Sequence, residues 1–392
     1  MWLRGLFNQS AASLWVAGVS MVLVFALGRI LGPESFGDYN YVLTLASLLA
    51  IVQDGGFKTL LQREFAHRSL AAVSPEVLLR HAVGHALAAS AAALLLCVAL
   101  GGARAPAMAF AVVAMALVVI ANALSARWRG LGDYARDALW QMGVRSVTAL
   151  AIMACVLLWR PDAVAVFAGW AGGIVLALLV ARLWVRPRWS PPRAIYRTAA
   201  AFMLIDLATT IYFRIDIVMM DRLGVAPADI GRYAAAYRLF EGGVLLLAPA
   251  ATIFFREVRL RWQDRAATRL LLRRALGGVL VLAMAGSAVA HVLAEPLLVL
   301  AYGADYAGAA PLFSWLLVAF LFLAPNYVLT QAAVALGLER WYAVAVCVAA
   351  VVNVSLNLWL LPRFGAVGAA WASIATEAVL MWMLYRGVRS WL

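Results

Sequence analysis

The chain has 392 residues, of which 66% are hydrophobic and 13% charged, and it carries a formal net charge of +13. Soluble domains are roughly 45–50% apolar and about 25% charged, so this composition excludes a soluble globular protein, a disordered chain and a disulfide-stapled secreted module. Cys97, Cys155 and Cys347 all lie in apolar stretches and offer no metal or redox motif.

A membrane-spanning helix needs about 20 mostly apolar residues. Twelve such runs follow in order: 9–31, 39–57, 81–100, 106–126, 139–159, 163–183, 199–221, 232–255, 274–294, 308–332, 341–361 and 366–386. The stretches 105–126 and 306–338 contain no Asp, Glu, Lys or Arg. The third run opens with His81 and His85, and the seventh contains Asp206, Arg214 and Asp216. The first run is too long for a secretory leader and lacks a small-residue cleavage pattern, so it reads as a span.

Of 32 basic residues, 31 are Arg and one is Lys58. With both termini cytoplasmic, 23 of the 32 fall in cytoplasmic segments and five in outer loops. The first basic loop holds Lys58, Arg63, Arg68 and Arg80, and another runs from Arg256 to Arg274. Arg29, Arg145, Arg214 and Arg238 lie within spans. This asymmetry is what positive-inside orientation produces, so the basic charge reflects topology and not a nucleic-acid surface. Trp128, Trp140, Trp159, Trp184, Trp341 and Trp359 fall near span ends, where interfacial belts are expected.

The Pro-rich segment from Arg186 to Arg193 lies near mid-chain and reads as a cytoplasmic linker. It divides an N-terminal six-helix lobe (1–186) from a C-terminal one (199–392), with the linker at 187–198. Phe36-Gly37-Asp38-Tyr39 matches Ile230-Gly231-Arg232-Tyr233, and Thr59…Arg63-Glu64 is echoed by Thr252…Arg256-Glu257. Six spans per half is an even number, so both halves enter the membrane in the same sense. The expected fold is an all-α polytopic membrane protein, its two lobes related by a parallel pseudo-two-fold repeat.

No P-loop is present, because such a loop needs Gly-Lys and the only lysine follows Phe57. The outer loops are short, the longest near Glu295–Ala307, which disfavours an enzyme with an outer catalytic domain. Ionisable groups inside spans are more informative, since each costs about 2.5–3.5 kcal/mol to insert. Arg214 and Asp216 lie in the outer half of span seven, at depths matched by Glu241 and Arg238 of span eight. These four either form self-neutralising pairs that hold helix register or face a cavity. Tyr233, Tyr237 and Glu241 share one helix face. Glu377 is alone near the middle of span twelve: it is either a proton or cation site or simply hydrogen-bonded to a neighbouring helix. His81 and His85 have metal-pair spacing but no third ligand, so they read as interfacial residues, and no metal or cofactor is expected. Pro249, Pro311 and Pro325 are positioned to kink spans eight and ten.

Several motifs in chain order resemble those of the polysaccharide-biosynthesis flippases, the O-antigen and exopolysaccharide exporters of the multidrug/oligosaccharidyl-lipid/polysaccharide (MOP) superfamily. They are Leu27-Gly-Arg29-Ile-Leu-Gly-Pro-Glu-Ser-Phe-Gly37-Asp-Tyr39, Asp54-Gly55-Gly56-Phe57, Arg214-Ile-Asp216 and Gly231-Arg-Tyr-Ala-Ala-Ala-Tyr237-Arg238-Leu-Phe-Glu241. Tyr302-Gly303-x-x-Tyr306 and Asn353-x-x-x-Asn357, ahead of Pro362-Arg-Phe-Gly365, complete the series.

The resemblance implies a two-lobed bacterial inner-membrane protein that moves a polyprenyl-pyrophosphate-linked oligosaccharide to the outer leaflet by alternating access. Arg29 and Arg238 match arginines that line the cavity of related peptidoglycan-precursor flippases and are thought to bind pyrophosphate, with Arg214 and Tyr237 nearby. The planar guanidinium fork suits phosphate oxygens. Coupling to a proton or sodium gradient would fall to Glu241, Asp216 and Glu377. The alternatives are a cation-coupled drug exporter of the same superfamily, a membrane glycosyltransferase or polymerase, and a non-transporting scaffold. The four span-embedded arginines favour an anionic substrate.

Overall fold

The computed structural model describes residues 2–66, 73–189, 193–245 and 247–391. Arg68 and residues 190–192 of the expected linker lie outside the described residues. The described chain is helical, with no strand. The helices are α1 (Trp2–Asp54), α2 (Phe57–Ala66), α3 (Pro75–Leu100), α4 (Ala105–Gly130), α5 (Tyr134–Leu158), α6 (Ala163–Val180) and α7 (Arg193–Arg222). They continue with α8 (Pro227–Leu245), α9 (Ala248–Arg261), α10 (Arg265–Val292), α11 (Ala294–Tyr302), a 3-10 turn (Ala304–Ala309), α12 (Ala310–Ala335) and α13 (Glu339–Trp391). Helices satisfy every backbone group within the segment, as a lipid environment demands.

The two longest helices are each broken by a glycine in the left-handed region, Gly32 in α1 (φ 70°) and Gly365 in α13 (φ 55°). Divided there, the described chain has twelve helices of eighteen or more residues, one for each expected span. Eight helices, counting α1 and α13 once each, are apolar and long enough to cross a membrane by length and composition alone. The protein is therefore an all-α, multi-pass membrane protein. The eighth span is not a kinked helix, however. It is two helices, α8 and α9, with Pro249 in the first turn of α9, where a missing N–H costs nothing. Pro311 likewise starts α12 without kinking it, and only Pro325 lies within that helix. The expected outer loop near 295–307 is also corrected: α11 and the 3-10 turn fill it, and they bury Leu298, Tyr302 and Tyr306.

By contact the chain forms two compact units, residues 1–31 with 41–210, and residues 32–40 with 211–392. In the first, Phe57, Leu60 and Leu61 of α2 pack with Leu124 and Trp128 of α4, Trp140 of α5 and Ile174 of α6. Trp128 and Trp140 are thus core residues and not belt residues: both are buried, their rings lie 5.8 Å apart, and Trp140 donates to the carbonyl of Ala121 at 3.2 Å. Trp159, Trp184, Trp341 and Trp359 are exposed. Segment 186–188 is tied to α3, with Arg188 N–H donating to the Arg80 carbonyl at 2.8 Å and Arg80 Nε to the Arg186 carbonyl at 3.1 Å. His81 and His85 serve the same packing, through contacts with the carbonyls of Arg188 (3.2 Å) and Val52 (2.8 Å).

The second unit is built around α12 and α13, where Ala332, Ala333, Ala345 and Ala349 are fully or almost fully buried. Small residues at such contacts let helix backbones approach closely, since association in lipid relies on packing. Large apolar side chains such as Leu282, Val292 and Leu300 point outward.

The internal repeat has a structural counterpart inside this second unit. Segment 33–37 packs reciprocally on segment 227–231. A Cβ on Gly37 would fall on the carbonyl oxygen of Pro227, and one on Gly231 would fall on that of Pro33. Each Cβ would also lie 3.0 Å from the backbone nitrogen of the other glycine. Residues 194 apart in sequence therefore exchange equivalent contacts, as a local two-fold axis requires. The second repeated motif also carries the same ion pair twice, Arg63–Glu64 at 3.0 Å and Arg256–Glu257 at 3.1 Å.

Candidate functional site

The ionisable residues of α7 and α8 meet within the second unit. Arg214 of α7 reaches Glu241 of α8 with 3.6 Å between Nη2 and Oε1. Arg238, one turn before Glu241, donates from Nη1 to its other carboxylate oxygen at 2.7 Å. One carboxylate thus serves two guanidiniums and leaves the trio with a net charge of +1. The side chains remain partly open, at 28% for Arg214, 22% for Arg238 and 33% for Glu241, so a ligand can reach them.

Matched depth allowed a second cross-helix pair, Asp216 with Arg238, and this one does not form. Asp216, 6% exposed, instead accepts a short hydrogen bond from the hydroxyl of Tyr233 and one from the Ile217 N–H at 2.9 Å. Tyr233 is fully buried, stacked on Tyr237 with centroids 5.8 Å apart, and Tyr237 in turn lies 5.4 Å from Phe240. The tyrosine stripe read from the sequence therefore splits its work. Tyr233 holds Asp216, while Tyr237 lines a small cavity of about 20 Å³.

That cavity brings together residues from several helices: Asp216 of α7, Tyr237 of α8, and Asn353, Ser373, Thr376 and Glu377 of α13. Its volume suits a single water or a small ion. Glu377 is 7% exposed, and Asn326 of α12 donates to its Oε2 at 2.7 Å and to its backbone carbonyl at 2.8 Å. Asn357 donates to Asn353 Oδ1 at 3.0 Å. Asn326 Oδ1, Asn357 Oδ1 and Thr376 Oγ1 are buried and have no hydrogen-bond partner among the described residues. Of these residues Thr376 lines the cavity, so two carboxylates and a hydroxyl face a space that suits a proton, a water or a hard cation.

Of the residues singled out in the sequence, Arg214, Arg238 and Glu241 thus form one cluster, and Asp216, Tyr237 and Glu377 face one cavity. Arg29 is exposed, lies one turn before the Gly32 break and belongs to the first unit. Sequence reasoning missed Asn326. Its signal was a polar side chain beside Pro325 in a stretch with no charge at all. It also missed Asp137 in the first unit, a fully buried carboxylate at the start of α5. Asp137 accepts from Gln9 and Gln141, both at 2.8 Å, and from the hydroxyl of Ser125, and it lies 3.7 Å from Arg129 Nε.

Twelve long helices, with charged and amide side chains converging inside a helical unit, define a polytopic helical membrane protein. Solved structures with the same fold bear this out. An inward-facing multidrug-resistance MATE transporter of the MOP superfamily matches with a TM-score of 0.73 at 13% identity, covering 95% of this chain and 94% of that one. The lipid II flippase MurJ in an inward closed conformation matches with a TM-score of 0.73 at 12% identity, over 97% and 87% of the two chains. A MOP-superfamily transporter from Pyrococcus furiosus, described as having a binding pocket of reversed polarity, gives a TM-score of 0.63 at 13% identity, over 99% and 94%. No curated protein matches the sequence significantly. The model of the polysaccharide biosynthesis protein family matches residues 2–255, and the chain belongs to that family.

Proposed function

We propose that this protein is a flippase that carries a polyprenyl-pyrophosphate-linked oligosaccharide across the bacterial inner membrane by alternating access. The observation that carries this reading is the trio Arg214, Glu241 and Arg238, net positive and between a fifth and a third open. Arg238 and Arg214, with Tyr237 beside them, hold the pyrophosphate. Glu241 is the resident counter-ion that the phosphate oxygens displace, a role that suits a carboxylate shared between two guanidiniums. Asp216 and Glu377, facing one cavity with Asn353, Ser373 and Thr376, carry the coupling ion, with Glu241 linking that site to the substrate. The family and the lipid II flippase fold support an anionic lipid-linked cargo.

The test is flipping in sealed proteoliposomes with a polyprenyl-pyrophosphate oligosaccharide, read by an impermeant glycosidase outside. Wild type exposes substrate with time. Arg238→Ala, folded by its thermal unfolding curve, is slower by about tenfold or more, the loss expected for one charge-assisted contact. If wild type behaves like empty liposomes with and without an imposed proton or sodium gradient, and instead expels a cationic dye, the protein is a drug exporter.

A further inference from the structure

The first unit carries a cavity of its own. It is a groove of about 820 Å³ where the C-terminal ends of α4 and α6 meet the N-terminal half of α5. Its walls include Gly143, Val147 and Val180, and its rim carries Arg127, Arg136 and Asp133. Leu139 and Val180, 72% and 76% exposed, form apolar walls on the outward side of the helices. In a multi-pass membrane protein such a face meets acyl chains. The rim is charged in one sense. Asp133 lies 3.5 Å from Arg136 and caps the start of α5 through its other oxygen, so two arginines against one carboxylate leave +1. The Arg127 Nε is buried without a hydrogen-bond partner among the described residues, while its guanidinium lies 6.0 Å from the Phe65 ring.

The geometry points to a binding site for an anionic phospholipid, its phosphate on Arg127 and Arg136 and one acyl chain along Val147 and Val180. Charge complementarity selects this occupant. The apolar trough accepts any acyl chain, but a rim of two arginines against one carboxylate selects an acidic headgroup. Basic pockets between helices at the more basic membrane face recognise lipid headgroups in this way. The Arg127 loop falls among the segments that the distribution of basic residues assigns to the cytoplasm, where the anionic leaflet lies.

The full-length protein in neutral detergent is loaded with equal amounts of phosphatidylglycerol and phosphatidylcholine, and retained lipid is counted by native mass spectrometry. Retention of phosphatidylglycerol exceeds that of phosphatidylcholine, and Arg127→Gln with Arg136→Gln lowers it by about fivefold per arginine, the effect of one basic contact near the surface. Gly143→Trp fills the trough without touching the rim, because a Cβ there meets nothing within 4 Å, and it abolishes retention. Unfolding curves without added lipid, unchanged in both variants, exclude misfolding as the cause. Equal retention of the two lipids, or retention undiminished in Gly143→Trp, overturns the site. Displacement of phosphatidylglycerol by equimolar polyprenyl phosphate also overturns it and assigns the groove to the cargo's tail. None of these readouts requires flipping, so they stand or fall apart from the flippase reading.

Discussion

Asp137 in the first unit and Asp216 and Glu377 in the second are all buried carboxylates, yet their surroundings differ in kind. Asp137 is saturated by two glutamine amides, a serine hydroxyl and a nearby arginine, all of which hold α1, α4 and α5 together. Asp216 and Glu377 instead look onto a shared cavity, which is also lined by Thr376, whose hydroxyl oxygen lacks a hydrogen-bond partner among the described residues. A saturated acid is a fastener: its hydrogen bonds are used up in the fold. A pair of carboxylates that faces a cavity can meet something that comes and goes. Burial alone does not separate structural from functional charge in a membrane protein. Here the difference lies in whether the carboxylate faces a cavity.

Asp137→Leu breaks the comparison hardest. It strands Gln9, Gln141 and Ser125 and leaves Arg129 without its carboxylate, so a loss of about 3–5 kcal/mol is expected, the range for breaking a buried pair. Thermal unfolding in detergent measures it, and the flipping rate per folded molecule stays unchanged. Gly231→Val comes next, because its side chain would collide with the Pro33 carbonyl. Overpacking of that kind costs about 1–3 kcal/mol, read as a lowered unfolding temperature. Asp216→Asn is the contrasting case. The Tyr233 hydroxyl still finds an acceptor oxygen, so stability shifts by less than about 1.5 kcal/mol, the scale of one hydrogen bond. The dependence of flipping on an imposed ion gradient is lost. Glu377→Gln has the smallest structural effect, since Asn326 again finds an oxygen to donate to, and unfolding moves least of the four. If Glu377→Gln instead destabilised as much as Asp137→Leu while gradient dependence persisted, Glu377 would be a fastener too.

The helical class and the twelve long helices were legible because the requirement to bury backbone polar groups in lipid writes itself as runs of about 20 apolar residues. The repeat was legible at Gly37 and Gly231, where close backbone contact excludes any side chain and so constrains residue type. The trio of Arg214, Arg238 and Glu241 was half legible. Helical rise gave the depths, and the i, i+3 spacing gave the pair within α8. Depth does not specify rotation about the helix axis, however, so Asp216 turned to Tyr233 and not to Arg238. Trp128 and Trp140 sat at span ends in sequence, and only packing turned them inward against α2. Asn326, Asn353 and Glu377 are separated by up to 51 residues and share no local pattern, so only the meeting of α12 with the two segments of α13 brings them together. Sequence by itself determined what must lie in the membrane and which residues are costly there, because those are one-dimensional properties of hydropathy and spacing. Which costly residues face one another, and which face a cavity, depends on helix rotation and long-range contact, and the tertiary structure alone decided it.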